Sequence, residues 1–354
     1  MRVPITGIGV IAPGAIGIAA FRELLGSGRT AVGEIDRFDT GGLSAHTAAL
    51  VRDFKPRDFI NPMKMRRMNV LSRLGVAAAK LAIEDCGVAP PPETGVAIGT
   101  AFGPVQTSVE YMQEYVEKGA SLAPPQLFAE SVANAPGSHI AIEWGLRGFN
   151  VTITQRESSA MAAAMYAATQ LAKGSTSAAL IGGVEEANEM LFSVLDRIGA
   201  LAYDDHEGLI LGEGSAMLVA GAGTRQPYGW LAGFGIARDT TAPISDWGTD
   251  SNAVVAAMRA AMQDAEVEKV DAVFVSANGS PRGDVLERRA LAQLFGEVET
   301  VPTKHVFGEY AAGGALQLVA ALLALDQGRY DNVLVSSLSA GGGIVCAILS
   351  REAA

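Results

Sequence analysis

Apolar, β-branched runs alternate with alanine-rich runs of helical spacing along the whole chain. Short apolar runs bounded by glycine and polar residues are typical of buried strands. The predicted strands are 3–10, 95–99, 150–154, 177–182, 215–220, 228–236, 271–276, 332–337 and 343–350, and the predicted helices are 65–86, 158–173, 250–264, 284–294 and 311–326. Such regular alternation predicts an α/β protein in which helices cover the sheets.

Two helix–glycine–strand segments, 158–185 and 311–343, resemble each other. In each, a helix of small residues ends just before a glycine, Gly174 or Gly328, where a left-handed residue commonly stops a helix. A helix rich in alanine and glycine has no polar face, so we expect both helices to lie between sheets. The repeat predicts two related halves, 1–223 and 224–354.

The amino-acid composition excludes several classes of protein. There are 27 lysines and arginines against 38 acids, a net charge of −11, which argues against nucleic acid as a partner. The apolar share of 49% excludes a disordered chain, and we expect no membrane span and no secretory leader. The two cysteines, Cys86 and Cys346, are far apart, which favours a reducing, cytoplasmic setting. The mean hydropathy of +0.24 suggests that another subunit covers part of the surface.

Glycine motifs at both ends of the chain raise the question of a cofactor. Gly7 and Gly9 would begin a dinucleotide-binding fingerprint, but its third glycine is replaced by Ala12. A turn after a strand is the simpler interpretation of these two glycines. The glycines at 341–343 have no lysine–serine/threonine pair after them, so they do not form a phosphate loop. We expect neither a cofactor nor a metal.

Several motifs occur in an order that matches one family. They are ITGIGVIAPG at 5–14, RRM at 66–68, GTAFG at 99–103, NAPGSH at 134–139, GLRG at 145–148, GGVE at 182–185 and GEG at 212–214. Together these motifs resemble the β-ketoacyl-acyl-carrier-protein synthases over nearly the whole chain. The resemblance implies a thiolase-like fold, in which two similar halves form a five-layered α-β-α-β-α core.

Active members of that family condense acyl chains with a cysteine nucleophile and two histidines, and this chain departs from all three. Glu157 stands where the cysteine would open the first central helix. A carboxylate accepts an acyl group poorly, because the product is a high-energy anhydride. Asn278 replaces the first histidine and Glu309 the second, where a negative charge opposes enolate formation. Only Lys304 matches the family pattern.

Other nucleophiles and bases are less well placed by the motifs. Ser158 and Ser159 could substitute for the cysteine, but no histidine is positioned as their base. His305 would fit the second histidine only if the register slipped and lost Lys304. If the fold brings Glu157 and Glu309 together, they need cations or a shared proton, and the hypothesis is a polar network that includes Lys304 and Arg156.

The class within the family that this pattern resembles is the chain-length factor, or β-subunit, of type II polyketide synthases. Such a subunit pairs with a catalytic ketosynthase and shapes the tunnel for the growing chain, which here would suit a polyene. The resemblance implies an interface at the edge strand and a tunnel wall on a helix; the residues are Asn150, Val151, Thr152, Ile153 and Thr154 for the interface and Val109, Tyr111, Met112 and Tyr115 for the tunnel. Because this chain and acyl carrier proteins are both acidic, the carrier is expected to dock mainly on the partner.

Two other functions stay open on sequence grounds. One is a divergent stand-alone acyltransferase or malonyl decarboxylase that uses Glu157, Ser158 or His305. The other is a homodimer that binds acyl chains or carrier protein. Turnover by the purified chain distinguishes the first, and a stable one-to-one complex with a ketosynthase distinguishes the heterodimer from the second.

Overall fold

The computed structural model describes residues 2–221 and 223–353, in which strands and helices alternate. Before residue 222 the elements are β1 (Val3–Ala12), β2 (Ala15–Ile16), α1 (Ile18–Gly26), β3 (Val32–Glu34), β4 (Thr47–Ala49), a 3₁₀ turn (Pro56–Asp58), α2 (Pro62–Met65), α3 (Val70–Cys86), β5 (Gly95–Gly99), α4 (Val105–Lys118), α5 (Pro125–Glu130), α6 (Ala135–Trp144), β6 (Asn150–Ile153), a 3₁₀ turn (Arg156–Ser158), α7 (Ser159–Ala172), β7 (Ala178–Glu185), α8 (Glu189–Arg197) and β8 (Gly214–Gly221). After it they are β9 (Gly229–Arg238), α9 (Ser251–Asp264), β10 (Ala272–Phe274), α10 (Pro281–Phe295), β11 (Glu299–Val301), α11 (Lys304–Phe307), α12 (Ala311–Asp326), β12 (Asn332–Leu338) and β13 (Gly343–Ser350).

The main sheet consists of two halves with the same topology. From edge to edge the strands are β6, β5, β7, β8, β1 and then β9, β13, β12, β10, β11, with β2 paired only to β1. In the first half β5 is parallel to β6 and β7, and in the second half β10 is parallel to β11 and β12. The last strand of each half along the chain, β8 or β13, is antiparallel to both of its neighbours. This shared strand order confirms that the chain is built from two similar halves.

Two buried helices, α7 and α12, lie between the sheet halves. Their side chains form one apolar cluster with residues from both halves, such as Ile181 of β7 and Val335 of β12. Every side chain from Ala312 to Leu325 is buried, as expected for a helix without a polar face. The outer face of the first half is covered by α3 and α6, and that of the second half by α9 and α10. The result is the expected five-layered α-β-α-β-α core.

The glycines of β1 allow the outer helix to pack closely. A Cβ atom on Gly9 would lie 1.9 Å from the carbonyl oxygen of Ala78, and one on Gly7 would lie 2.3 Å from that of Ala82. The interpretation of these glycines as a turn is therefore wrong, because β1 continues through them to Ala12 and α3 rests on them. Their role is close helix–strand contact.

Some predicted boundaries shift for local reasons. The helix predicted at 65–86 begins only at Val70, because the Asn69 side chain accepts a hydrogen bond from the Ser72 N–H and caps it. The strand predicted at 150–154 ends at Ile153, so Thr154 lies beyond it. Helix α4 was expected only through the family resemblance, as the helix that carries the tunnel residues, and helices α1, α5, α8 and α11 were not predicted. Across the described ranges, no helix has the length and apolar character needed to cross a membrane.

Candidate functional site

Glu157 lies in the 3₁₀ turn that leads into α7. Its side chain is 2% exposed. One carboxylate oxygen, Oε2, accepts a hydrogen bond of 3.2 Å from the Ala340 N–H and lies 3.9 Å from Nε of Arg156. Arg156 has a φ of 51°, a left-handed conformation that is uncommon for a residue with a side chain. The entry to the central helix is thus a tight turn with a buried acid at its centre.

Asn278 and Glu309, which motif order places at the two histidine positions, are joined by a hydrogen bond, and Glu309 also forms a buried ion pair with Lys304. Nζ of Lys304 lies 2.7 Å from Oε2 of Glu309, and both side chains are at most 1% exposed. Nδ2 of Asn278 donates a 2.7 Å hydrogen bond to the same oxygen, and the Tyr310 N–H donates to Oε1 at 2.8 Å. Glu309 is therefore held as a buried carboxylate paired with Lys304 at the position that motif order predicts for the second histidine.

Electrostatics connect Glu157 with this ion pair. Burial raises the pKa of Glu157 to about 7, and the nearby charge of Glu309 adds to the increase, while Arg156 and Lys304 lower it. Burial and the same two carboxylates also raise the pKa of the Tyr310 phenol well above its usual value. Within the described residues, no hydrogen bond or ion pair joins Glu157 to the Lys304–Glu309 pair, so the two are coupled through charge alone, and the site contains no thiol that could accept an acyl group as a thioester.

The serine hydroxyls proposed as alternative nucleophiles already form hydrogen bonds, and the four histidine side chains contact other residues or are exposed. Ser158 Oγ lies 2.6 Å from Ser339 Oγ, and Ser159 Oγ donates to the Arg156 carbonyl at 2.6 Å. The imidazole contacts are His139 Nε2 to Glu130 Oε1, His46 Nδ1 to Thr40 Oγ1 and His206 Nε2 to the Gly199 carbonyl, while the His305 side chain is exposed. Within residues 2–221 and 223–353, no group of three or more histidines, cysteines or acids is placed to hold a metal ion.

The loop that carries Asn278 is supported by two acids of α10. Asp284 accepts the Asn278 N–H at 3.1 Å, and Glu287 accepts the N–H groups of Ser276 and Ala277 at 2.9 and 3.0 Å. Burial raises the pKa of Glu287 to about 7. Sequence reasoning missed Glu287, although its spacing of three residues from Asp284 places both on one helix face.

The proposed tunnel residues lie on α4, and two of them face the surface of this chain. Met112 is 52% exposed and Tyr115 is 42% exposed. Tyr111 is half-buried, with its ring 5.5 Å from that of Phe128 on α5. Further exposed apolar side chains missed by sequence reasoning continue this surface, which we name the α4–α5 face; its exposed members are Met112, Tyr115, Val116, Leu122, Phe128 and Val132.

The strand β6 forms an open edge of the sheet. The Val96 N–H donates to the Phe149 carbonyl at 2.7 Å, and the Thr100 N–H donates to the Ile153 carbonyl at 3.1 Å. Because peptide groups alternate sides along a strand, the N–H and C=O groups of Thr152 point away from β5. They face the edge that no strand covers within the described residues. Such an edge is a template for pairing with another chain.

The raised pKa of Glu157 predicts a pH dependence of stability. An unfolded glutamate ionises near 4.5, whereas folded Glu157 keeps its proton to about 7, so stability falls as pH rises between these values. The native chain should lose unfolding free energy as pH rises from about 5 to about 8. In Glu157→Gln this loss should be smaller by up to about 3 kcal/mol, because glutamine does not titrate. Urea unfolding at both pH values measures it. Burial also raises the pKa values of Glu186 and Glu287 to about 7, and these two residues remain in both proteins. If the unfolding free energies of the native chain and of Glu157→Gln change with pH in parallel, Glu157 does not contribute the predicted pH dependence.

Residues 1–221 match the model of the β-ketoacyl synthase N-terminal domain, and residues 228–334 match that of its C-terminal domain. The chain is 28% identical to 3-oxoacyl-[acyl-carrier-protein] synthase 2 of Vibrio cholerae, over 92% of this chain and 86% of that protein. It is 30% identical to the actinorhodin polyketide putative β-ketoacyl synthase 2 of Streptomyces coelicolor, over 93% of this chain and 86% of that protein.

Solved structures share the fold. The ishigamide ketosynthase/chain length factor superposes with a TM-score of 0.90 at 24% identity, over 99% of each chain. A β-ketoacyl synthase from Burkholderia phymatum superposes with a TM-score of 0.88 at 24% identity, over 99% of this chain and 100% of the other. The two matched domain models span both halves of the sheet, and the fold is the thiolase-like fold of ketosynthases. This chain belongs to the β-ketoacyl synthase family.

Proposed function

We propose that this chain is a non-catalytic, chain-length-factor subunit that pairs with a catalytic ketosynthase in type II polyketide or fatty-acid-like biosynthesis. The observation that carries this proposal is the buried ion pair between Lys304 and Glu309, with Glu157 at the mouth of α7. Decarboxylative condensation needs a thiolate and donors that stabilise an enolate. Glu157, at the predicted nucleophile position, cannot supply the thiolate, and the negative charge of Glu309 opposes formation of the enolate.

Two surfaces support the pairing. The open edge of β6 offers unpaired backbone groups at Asn150 and Thr152, and the α4–α5 face offers apolar side chains. A scattered apolar residue needs no explanation, but a contiguous apolar surface marks an interaction site. The ishigamide neighbour carries both ketosynthase and chain length factor in its name, which favours the same arrangement here.

We extend the proposal to the domain organisation, in which residues 1–223 and 224–354 are the two structural halves of the subunit.

The growing acyl or polyene chain would run along the α4–α5 face, between the two subunits. Met112 is flexible and polarisable, and Tyr111 and Tyr115 are large, so these side chains suit the wall of an apolar tunnel. Val109 is half-buried on the same helix. The carrier protein would deliver its acyl groups mainly through the partner, because this subunit has a net charge of −11. No step in this scheme requires a cofactor.

Co-expression with a catalytic ketosynthase tests the proposal. We expect a one-to-one complex whose condensation stops when the partner's nucleophilic cysteine is replaced, and continues within about threefold of its rate with Glu157→Gln in this chain. Met112→Trp should shorten the products, because the larger ring fills tunnel volume. Val88→Trp, an exposed position outside the α4–α5 face, is the matched control. Products are measured by mass spectrometry.

Two results would contradict this function. Condensation or malonyl decarboxylation by the purified chain alone would favour the stand-alone enzyme, for which the relatives named 3-oxoacyl-[acyl-carrier-protein] synthase 2 are the precedent. Failure of the chain to form a one-to-one complex with any ketosynthase would favour a homodimeric acyl-binding protein.

A further inference from the structure

Residues 239–250 connect β9 to α9 beside the entry to α7, and we name them the strap. The strap accepts two hydrogen bonds from neighbouring segments. The Gly341 N–H donates to the Asp246 carbonyl at 2.8 Å, and Nη1 of Arg156 donates to the Ile244 carbonyl at 3.1 Å. The strap is therefore bonded both to the turn before α7 and to the loop after β12.

The strap is held in one conformation by its own polar groups. Near its start, Asp239 is 1% exposed, and its carboxylate accepts the N–H of Thr241 at 2.8 Å and the N–H of Asp250 at 3.0 Å. These two bonds bring the ends of the strap together. In the middle, Asp246 forms an ion pair with Arg282 of α10. The strap is therefore fixed at its ends and at its middle by residues of this chain.

The side chain of Arg156 runs from the strap to Glu157. At its outer end, Nη1 bonds to Ile244, whose own side chain is 91% exposed, so this end lies at the surface. At its inner end, Nε lies 3.9 Å from Oε2 of Glu157, whose side chain is 2% exposed. Nε itself is buried and makes no hydrogen bond within the described residues. One side chain therefore spans the distance between solvent and the buried acid.

We infer that Arg156 is a plug, in which the side chain, held in place by the strap, closes the entrance from solvent to Glu157. The entrance is blocked whatever residue stands at position 157, so an acyl group on a thioester arm would not reach a thiol placed there. The backbone fits this role, because a φ of 51° costs free energy for arginine and persists only where surrounding contacts fix it. For the proposed function, on which this consequence alone rests, a closed entrance means that acyl groups are loaded only on the partner.

The test introduces a thiol behind the plug. In Glu157→Cys, a thiolate that iodoacetamide can reach displaces iodide and forms a thioether, so the rate of alkylation measures access. Glu157→Cys/Arg156→Gly removes the plug, and glycine adopts a positive φ without strain. Glu157→Cys/Arg156→Met is the matched control, because it removes the same positive charge and retains a long side chain. The two double variants therefore change the pKa of the new thiol in the same direction and differ in access.

Reference thiols set the scale of the alkylation rates. Ser175→Cys, at an exposed position after α7, supplies the rate of an open thiol, whereas the buried Cys86 and Cys346 should stay unlabelled. We expect Glu157→Cys to react at least about tenfold more slowly than Ser175→Cys. Adding Arg156→Gly should raise the rate at least about tenfold, and adding Arg156→Met should leave it within about threefold. Mass spectrometry of the full chain and its peptides counts the labels, and circular dichroism checks that each variant folds.

A second measurement needs no new thiol and decides by itself if the cysteine variants do not fold. The Ser158 N–H is buried beside the plug and donates to Ser339 Oγ at 3.0 Å. In Arg156→Gly this group becomes open to water, so hydrogen exchange of peptide 155–160 should be at least about tenfold faster than in the native chain. Arg156→Met should exchange as the native chain does.

Two results would overturn the plug. One is alkylation of Glu157→Cys as fast as that of Ser175→Cys, and the other is an Arg156→Gly variant that is alkylated or exchanges no faster than its Arg156→Met counterpart. Both experiments use this chain alone, so they give the same answer whether or not a ketosynthase complex forms. Failure of that complex contradicts the proposed pairing and leaves the plug standing.

Discussion

Thr152→Pro should weaken the one-to-one complex with a ketosynthase while this chain still folds. The N–H of Thr152 points away from β5, so proline there removes a donor from the open edge but none from the ladder within the sheet. Proline is tolerated on an edge strand for that reason. We expect the affinity of the complex to fall at least about tenfold, which corresponds to about 1.4 kcal/mol, or roughly one net backbone hydrogen bond. Analytical gel filtration of the co-expressed pair measures this loss.

Thr152→Val is the matched control for this variant. It retains the backbone N–H, and the hydroxyl that it removes has no hydrogen-bond partner. Its complex should therefore form as the native one does. Val151→Pro should instead damage the chain itself, because the Val151 peptide faces β5. If Thr152→Pro folds and binds the ketosynthase normally, strand pairing at β6 is not the interface.

Lys304→Met should lower the unfolding free energy by about 3 kcal/mol or more at pH 8. The substitution leaves the carboxylate of Glu309 buried without its cation, and only Asn278 and the Tyr310 N–H still donate to it. A buried charge without a partner is strongly destabilising, whereas removing both charges is often nearly neutral. Lys304→Met/Glu309→Gln should therefore recover more than half of the loss. Urea unfolding followed by circular dichroism measures all three proteins.

An exposed ion pair supplies the comparison. Arg351 pairs with Asp331, and their side chains are 43% and 69% exposed, so water already solvates both charges. Arg351→Met should cost less than about 1 kcal/mol. Equal effects of Lys304→Met and Arg351→Met would mean that the pair at the triad position is hydrated and that its burial has no energetic weight.

The layered fold could be predicted from sequence because it depends on patterns that repeat along the chain. The strand 95–99 and the helix 311–326 were predicted with the bounds that the structure has. Among the elements that were missed, α5 and α8 are amphipathic helices whose apolar positions do not all face the core, and α4 was expected only from the family resemblance. The spacing of apolar residues along such a helix is the same whether the exposed ones form an interface or belong to a partly buried surface, so the sequence pattern does not distinguish the two.

The candidate site was predictable only as a set of residue identities. Motif order placed Glu157, Asn278 and Glu309 at the predicted triad positions and Lys304 at the position of the family's lysine. Sequence reasoning proposed Lys304 and Arg156 as partners of these acids, and Lys304 does lie 2.7 Å from Glu309. It contained no sign that Ala340 would donate to Glu157 or that Tyr310 would be buried close enough to both acids for their charges to raise its pKa. Those contacts join segments that are up to 183 residues apart in the chain.

By itself, the sequence determined the two-fold repeat of the architecture and the presence of Glu157 at the position that motif order predicts for the nucleophile, because hydrophobic periodicity and residue chemistry are local properties of the chain. Only the tertiary structure decided the charge state of the remnant site and the surfaces left open for a partner. A pKa depends on burial and on neighbouring charges, and an edge strand is an edge only when its neighbours are known. Both properties arise from segments that meet in space, and no local pattern encodes them.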